Sequence, residues 1–183
     1  MEMAKKQKLK REFVLLIRDI LRSPEFRQMK QYRSHIRSTL YDHSVKVAYL
    51  CFLHHKRWKM RIDIAEFVRG ALLHDFFLYD LRNEGKGYLR HWFRHPQISL
   101  NNALSKYPTI TEAQRDMIKN HMFPVTLKPP RTKAGWLVCF YDKIAATSDR
   151  FGKGRRSFFV LPKSVSSFCF AKNNLPLCKQ SGR

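Results

Sequence analysis

The sequence has few acidic residues and no clustered cysteines. Its 14 Asp and Glu residues are outnumbered by 36 Lys and Arg residues, which gives a formal net charge of +22 over 183 residues. The four cysteines show neither a CxxC pair nor the close spacing of a cysteine-bound metal; they are Cys51, Cys139, Cys169 and Cys178. The first two lie in apolar runs, which predicts buried, reduced thiols.

The sequence also lacks a long apolar run near its beginning. The apolar stretch at residues 13–21 is interrupted by Arg18 and Asp19, which excludes a signal peptide or a membrane span there. Patterns typical of strands are weak, apart from the short apolar run at residues 158–161. We therefore expect a cytoplasmic protein with no membrane partner and an all-α fold.

The excess positive charge lies mainly at the two ends of the chain. Residues 1–40 carry a net charge of +7 and residues 150–183 a net charge of +8, whereas the 109 positions between them add only +7. Hydrophobic residues make up 44% of the chain and aromatic residues 13%, which excludes disorder throughout. Such a charge distribution suits a nucleic-acid-binding protein, but equally an enzyme for phosphorylated substrates.

Apolar residues recur at helical spacing in about six segments. These segments cover approximately residues 13–22, 42–58, 63–75, 95–105, 109–121 and 134–150. Asp63 with Glu66 predicts a capped start for the third helix, and either Thr109 or Thr111 can cap the fifth. Pro96 suits the first turn of the fourth helix and argues against a helix that continues back through His91.

These segments predict a single domain between two basic ends. A Lys-rich lead occupies residues 1–10, the helical domain residues 11–150, and a basic tail residues 151–183. The tail combines Gly, Ser and basic residues without a helical period, so we expect it to be poorly ordered.

Each predicted helix or helix start after residue 40 brings a His or Asp to an inward position. The set consists of His43, His74, Asp75, His95, His121 and Asp142. Successive members are 31, 1, 20, 26 and 21 residues apart, so they meet only if the helices pack as a bundle. Imidazoles together with carboxylates suit divalent transition metals, and Asp75 could bridge two ions.

This order of residues resembles the HD-domain superfamily of metal-dependent phosphohydrolases. The resemblance runs from about residue 41 to residue 150. It is carried by Tyr-Asp-His43, Arg-Gly-Ala-Leu-Leu-His74-Asp75, Arg-His95-Pro96, Lys-Asn-His121 and Tyr-Asp142-Lys-Ile.

The resemblance implies an HD-type helical bundle with one or two divalent metal ions. In the family, residues matching His43, His74, Asp75 and Asp142 hold the first ion, and residues matching His95 and His121 join Asp75 at a second. His74 and Asp75 would then also form the catalytic centre. His95 and His121 also suit positions on the substrate side or behind the direct ligands. The sequence does not distinguish Mn, Fe, Mg, Ni, Co and Zn.

The expected activity is hydrolysis of a phosphoester by a metal-activated hydroxide. Phe76 and Phe77 follow the His-Asp pair, and no Gly-Tyr-Pro motif is present, unlike the HD-GYP subgroup that hydrolyses cyclic dinucleotides. The expected substrate is therefore a nucleotide or related phosphorylated small molecule. Candidate substrate-binding residues are Arg94, Arg131, Lys143 and His91, because phosphate requires cationic or hydrogen-bonding partners.

Two other functions fit the same residues. The superfamily resembled here includes mixed-valent di-iron oxygenases with a similar ligand set. Alternatively, the basic ends bind nucleic acid and the chain is a regulatory module. The sequence gives no indication of the oligomeric state.

Overall fold

The computed structural model describes residues 2–34, 38–79 and 88–151, and these residues are mostly helical. They form a short 3-10 helix, Met29–Gln31, and seven α-helices: α1 Glu2–Arg22, α2 Pro24–Gln28, α3 Leu40–Trp58, α4 Ile64–Leu73, α5 Tyr88–Lys106, α6 Glu112–Asn120 and α7 Lys133–Phe151. This part of the chain contains no strand, only an isolated bridge between Arg33 and Thr39. The all-α prediction is confirmed. The expected tail beyond residue 151 lies outside the described residues, as does the candidate strand at 158–161.

Side-chain caps fix the starts of several helices. The Thr39 hydroxyl accepts a hydrogen bond from the Asp42 backbone N–H, and the Asp63 carboxylate accepts one from that of Glu66. Thr111, rather than Thr109, caps α6, in a reciprocal capping box with Gln114. Such caps satisfy backbone donors that have no partner within the helix. They set which residues fall in the first turn, including His43 in α3.

Helix α5 begins earlier than the sequence predicts. It starts at Tyr88 rather than at His95, and Pro96 lies inside it. An interior proline removes one hydrogen bond and crowds the preceding turn, at a cost of about 3 kcal/mol. Pro96 is buried and so are Ser99, Leu100 and Ala103 after it, so packing of this face offsets the cost.

The helices pack around a core of apolar side chains. Helix α3 packs against α4 and α7, helix α6 packs against α4, α5 and α7, and helix α1 packs against α4. The ring of Phe13 from α1 lies 5.1 Å from that of Tyr49 and 5.6 Å from that of Phe52. This packing brings together the start of α3, the ends of α4 and α6, and the middles of α5 and α7.

The basic lead predicted at residues 1–10 is the first part of a longer helix. Residues 2–10 form the opening turns of α1, and residues 2–8 are exposed along their whole length. None of the helices in the described residues is both long enough and apolar enough to cross a bilayer.

Candidate metal centre

All six predicted metal ligands are buried at the place where the helices meet. His43 lies in the first turn of α3, His74 and His121 are the C-caps of α4 and α6, and Asp75 follows His74 directly. His95 and Asp142 lie within α5 and α7. Each of the six residues is at most 8% exposed. Residues up to 99 positions apart in the sequence thus share one polar centre inside an apolar bundle.

The first group of ligands surrounds one oxygen of Asp75. The Oδ2 atom of Asp75 lies 3.8 Å from His43 Nε2 and 3.5 Å from His74 Nε2. Asp142 Oδ1 lies 3.0 Å from the same His43 nitrogen and 3.7 Å from that of His74. One ligand atom from each of these four residues lies within 4.8 Å of the others, which is a spacing that a single ion can span.

The second group surrounds the other oxygen of Asp75. The Oδ1 atom of Asp75 lies 3.3 Å from His95 Nε2 and 3.3 Å from His121 Nε2. These three ligand atoms also lie within 4.8 Å of one another. Asp75 therefore presents one oxygen to each group, as a carboxylate that bridges two ions would.

Backbone hydrogen bonds fix the orientation of three of the histidines. The Nδ1 atoms of His74 and His121 lie 2.8 Å from the carbonyl oxygens of Ala71 and Ile118. His95 Nδ1 lies 3.1 Å from the carbonyl oxygen of His91. A carbonyl only accepts, so each Nδ1 carries the proton and donates it. The Nε2 lone pairs are left as the ligand atoms, all directed toward the centre.

Several of these atoms lack the partners that buried polar atoms normally have. Within the described residues, His74 Nε2 and Asp75 Oδ1 make no hydrogen bond although both are buried. His95 Nε2 and His121 Nε2 lie 3.0 Å apart, and with both protons on Nδ1 these are two lone pairs facing each other. Such an arrangement is unfavourable unless a cation or a proton lies between them. The residues therefore fit divalent metal ions, with donors of the imidazole and carboxylate types that transition metals prefer.

The electrostatics of the site keep its carboxylates ionised. Burial alone raises the pKa of Asp75, but the neighbouring His74, His121 and His95 outweigh burial and hold that pKa well below its usual range. Burial likewise raises the pKa of Asp142, and contacts with His43 and His74 lower it well below the usual range. Both carboxylates are therefore anionic at neutral pH, as metal ligands must be.

His43 differs from the other histidines because it contacts two carboxylates. Burial lowers its pKa, but the contacts with Asp142 and Asp149 outweigh burial and raise the pKa to about 10. Without a metal ion, His43 is therefore protonated at neutral pH, and an ion that binds Nε2 displaces a proton. By contrast, burial lowers the pKa of His121.

A cavity of about 230 Å³ opens beside the two groups of ligands. Its lining includes Asp75, His95, His121 and Asp142 from the centre itself, and Ser34, Phe77, His91, Trp92, Met122, Val125, Lys143 and Ala146 around it. Most of the surrounding side chains are apolar. Ligand sites in proteins commonly have volumes of about 300–1,000 Å³, so this cavity suits a small ligand or one end of a larger one.

Two of the four predicted substrate-binding residues line this cavity. His91 is 5% exposed, its ring stacks on that of His95 at 4.6 Å, and its Nδ1 atom lies 2.7 Å from the Tyr79 hydroxyl. This stacking requires the continuous helix through Pro96 that the sequence argued against. Lys143 Nζ donates to the carbonyl oxygen of His121 at 3.0 Å, so its ammonium group is held beside the centre.

The other two predicted substrate-binding residues lie away from the cavity. Arg94 and Arg131 are exposed and are not among the residues that line it. The backbone N–H of Arg131 instead donates to both oxygens of Asp116, at 3.0 and 2.9 Å. Residues 80–87, which precede helix α5, lie outside the described residues.

The sequence analysis missed two carboxylates. Asp149 lies behind His43, seven residues after Asp142 on α7, a separation that places both on one helix face. Asp116 on α6 binds the backbone at the start of α7 and so holds the loop between these helices. The seven-residue spacing could have indicated Asp149, but no local pattern indicates Asp116.

Together these observations describe a buried cluster that can hold one or two metal ions. Its imidazole and carboxylate donors suit several divalent metals. No protein-family model, curated protein or solved structure was found to match the chain.

Proposed function

We propose that the protein is an HD-type phosphohydrolase that uses two divalent metal ions to cleave a phosphoester. The observation that carries this proposal is the position of Asp75, whose two oxygens face two separate groups of ligands. The order of the six ligands along the chain, which resembles the HD-domain superfamily, supports the same function.

The position of Asp75 matters because this carboxylate would hold both ions, one through each oxygen. A single carboxylate that binds one ion through each oxygen holds a pair of ions close together, and pairs about 3.5–4 Å apart are typical of enzymes that cleave phosphoesters. When bound, such a pair activates water as the nucleophile and neutralises charge on the phosphoryl oxygens.

The protein's own side chains position the substrate beside this centre. Lys143 holds a cationic group at the cavity, where it attracts a phosphate oxygen. Since Tyr79 engages the Nδ1 atom of His91, the Nε2 atom is left for contact with the bound phosphoester. Phe77 and Trp92 cover the cavity with aromatic surface and exclude water from part of it.

The size and lining of the cavity favour a small substrate. A volume of about 230 Å³ accommodates a phosphoryl group and part of its leaving group rather than an entire dinucleotide. Trp92, which is 38% exposed, lies where it can stack on an aromatic part of the leaving group, such as the base of a nucleoside. The proposed substrates are therefore nucleotides or related phosphorylated metabolites.

The decisive experiment compares metal content and hydrolysis in the wild-type protein and in Asp75→Ala. Both proteins are loaded with Mn²⁺, freed of excess metal, analysed for bound metal, and assayed with a panel of phosphomonoesters and phosphodiesters. We expect close to two ions per chain and hydrolysis in the wild type. The variant should lose hydrolysis and at least one ion, because the bridging ligand is gone.

Asp19→Asn provides a matched control, since Asp19 is an exposed carboxylate paired with Arg69 on the protein surface. It should retain both metal and activity. Wild-type protein that binds iron, consumes oxygen and hydrolyses no phosphoester would instead indicate an HD-type oxygenase. A folded wild-type protein that binds no metal would refute both enzymatic functions and would leave the basic surface of α1 as the feature to test for nucleic-acid binding.

A further inference from the structure

The side chain behind His43 sets this histidine apart from the other three in the centre. His74, His95 and His121 each donate their Nδ1 proton to a backbone carbonyl. His43 Nδ1 instead faces a carboxylate oxygen, Asp149 Oδ2, at 3.5 Å, the outer limit of a hydrogen bond. A negatively charged acceptor makes a histidine a stronger donor to metal than a neutral carbonyl does.

Other contacts hold the Asp149 carboxylate in place. Its Oδ2 atom accepts a hydrogen bond from the Ser38 hydroxyl at 3.1 Å, and its Oδ1 atom lies 2.6 Å from Lys46 Nζ. Thus one oxygen faces His43, and the other pairs with a lysine one turn further along α3. The carboxylate is therefore not free to turn away from the histidine.

Asp142 and Asp149 enclose His43 from two sides. Seven residues correspond to two helical turns, a rise of about 10.5 Å along α7. The imidazole of His43 lies between the two carboxylates, with Nε2 at 3.0 Å from Asp142 and Nδ1 at 3.5 Å from Asp149. Only the first of these nitrogens belongs to the ligand group, so the second is held where it cannot compete for the ion.

We propose that Asp149 is a positioning residue that orients His43 and strengthens binding of the ion held by His43, His74, Asp75 and Asp142. The inference rests on the metal centre in the proposed function and adds a difference in metal affinity between its two groups of ligands. The first group contains two carboxylates and a histidine with an anionic partner, whereas the second contains one carboxylate oxygen and two histidines with neutral partners. The first ion therefore binds more tightly than the second, and Asp149 acts on the first alone.

The test is a Mn²⁺ titration of the full-length protein followed by calorimetry. The wild-type protein should show a tighter and a weaker binding event. In Asp149→Asn, the dissociation constant of the tighter event should rise by about 10- to 100-fold, which is typical for loss of a partner behind a metal-binding histidine. The weaker event should remain unchanged.

The variant Lys46→Met tests whether Asp149 acts by orienting His43 or only by linking helices α3 and α7 through its ion pair with Lys46. This variant removes the ion pair with Asp149 but retains the carboxylate beside His43. It should keep the tighter dissociation constant within about threefold of wild type, and Asp149→Glu should recover part of the loss. Equal weakening in Lys46→Met and Asp149→Asn would overturn the proposal, as would an unchanged first dissociation constant in Asp149→Asn.

A measurement on the wild-type protein alone covers the case in which Asp149→Asn fails to fold. In the Zn²⁺-loaded protein, ¹H–¹⁵N NMR of the histidine rings should show His43 with its proton on Nδ1, in a hydrogen bond to a carboxylate. Zinc bound through Nδ1 of His43 would overturn the proposal and leave the metal centre intact. A wild-type protein that binds neither Mn²⁺ nor Zn²⁺ would refute the proposed function together with this inference.

Discussion

Replacement of Asp116 by Asn should destabilise the protein without removing any proposed metal ligand. The two oxygens of this buried carboxylate accept five hydrogen bonds from four donors: Asn120 Nδ2, the backbone N–H of Arg131 at both oxygens, and the backbone N–H and hydroxyl of Thr132. An amide of the same shape retains one oxygen but presents an NH₂ group to donors that then have no acceptor.

The expected size of the effect follows from these contacts. A hydrogen bond to a charged group contributes about 1.5–3 kcal/mol, and an unsatisfied buried donor costs about 1–3 kcal/mol. Because contacts in one network are not additive, we expect a loss of about 2–4 kcal/mol in the free energy of unfolding. For a domain of this size, that corresponds to a decrease of roughly 4–16 °C in Tm.

The assay is urea unfolding followed by circular dichroism, at several pH values. Burial raises the pKa of Asp116, but its hydrogen bonds from Arg131, Asn120 and Thr132 outweigh burial and lower it below the usual value. A carboxyl group with a lowered folded-state pKa stabilises the fold fully above its unfolded-state pKa, and this stability is lost as the pH falls through the folded-state value. The difference between wild type and Asp116→Asn should therefore be complete at pH 7 and shrink below about pH 4. Equal stability at pH 7, or a difference that does not change with pH, would refute the reasoning.

Three further predictions concern packing, metal binding and the surface. Gly135→Ala should destabilise the fold by about 1–3 kcal/mol in urea unfolding, because its Cβ would lie 2.6 Å from Asp116 Oδ2. Gly70→Ala should be better tolerated, because its Cβ meets the flexible end of a methionine at 2.7 Å; equal effects would contradict this difference. Mn²⁺ at about 100 times its dissociation constant should stabilise the wild-type protein by about 2.7 kcal/mol and raise its Tm in thermal unfolding. A similar rise in the Tm of Asp75→Ala would contradict the role of Asp75 as a metal ligand. Asp19→Asn removes an exposed ion pair, so its free energy of unfolding should lie within about 1 kcal/mol of wild type, and a larger loss would contradict a purely surface role.

The helical fold and the convergence of the candidate ligands could be predicted from the sequence. Periodic apolar positions give the orientation of each helix, and a His or Asp on the apolar face has no other place than the interior. In this way His43, His74 and Asp142 were expected in one centre, and the structure places them there. The start of α4 was also predictable, because capping residues act over only three positions in the sequence. The start of α6 was predictable to within two residues, since the sequence offers two caps and the structure uses Thr111.

What could not be predicted depends on contacts between distant segments. The continuation of α5 through Pro96 depends on packing against other helices, which outweighs a local preference. The role of Asp116 depends on backbone donors 15 and 16 positions away, and no spacing rule reaches that far. Helical spacing places Asp149 on the same face as Asp142, but its contact with His43 joins residues 106 positions apart. The surface positions of Arg94 and Arg131 could not be distinguished from positions at the cavity, because loops have no periodicity that orients their side chains.

The placement of His74 and His121 at the C-termini of their helices has a consequence for how a strongly cationic chain retains cations. A chain with a formal net charge of +22 repels metal ions at long range. The C-terminus of an α-helix, however, carries a partial negative charge of about half an electron, and both α4 and α6 end at this centre. The two helix ends add to the charge of Asp75 and Asp142, so the local field at the ligands opposes that of the whole molecule. A net positive charge attracts anions from a distance, whereas the charges around this buried centre favour cations.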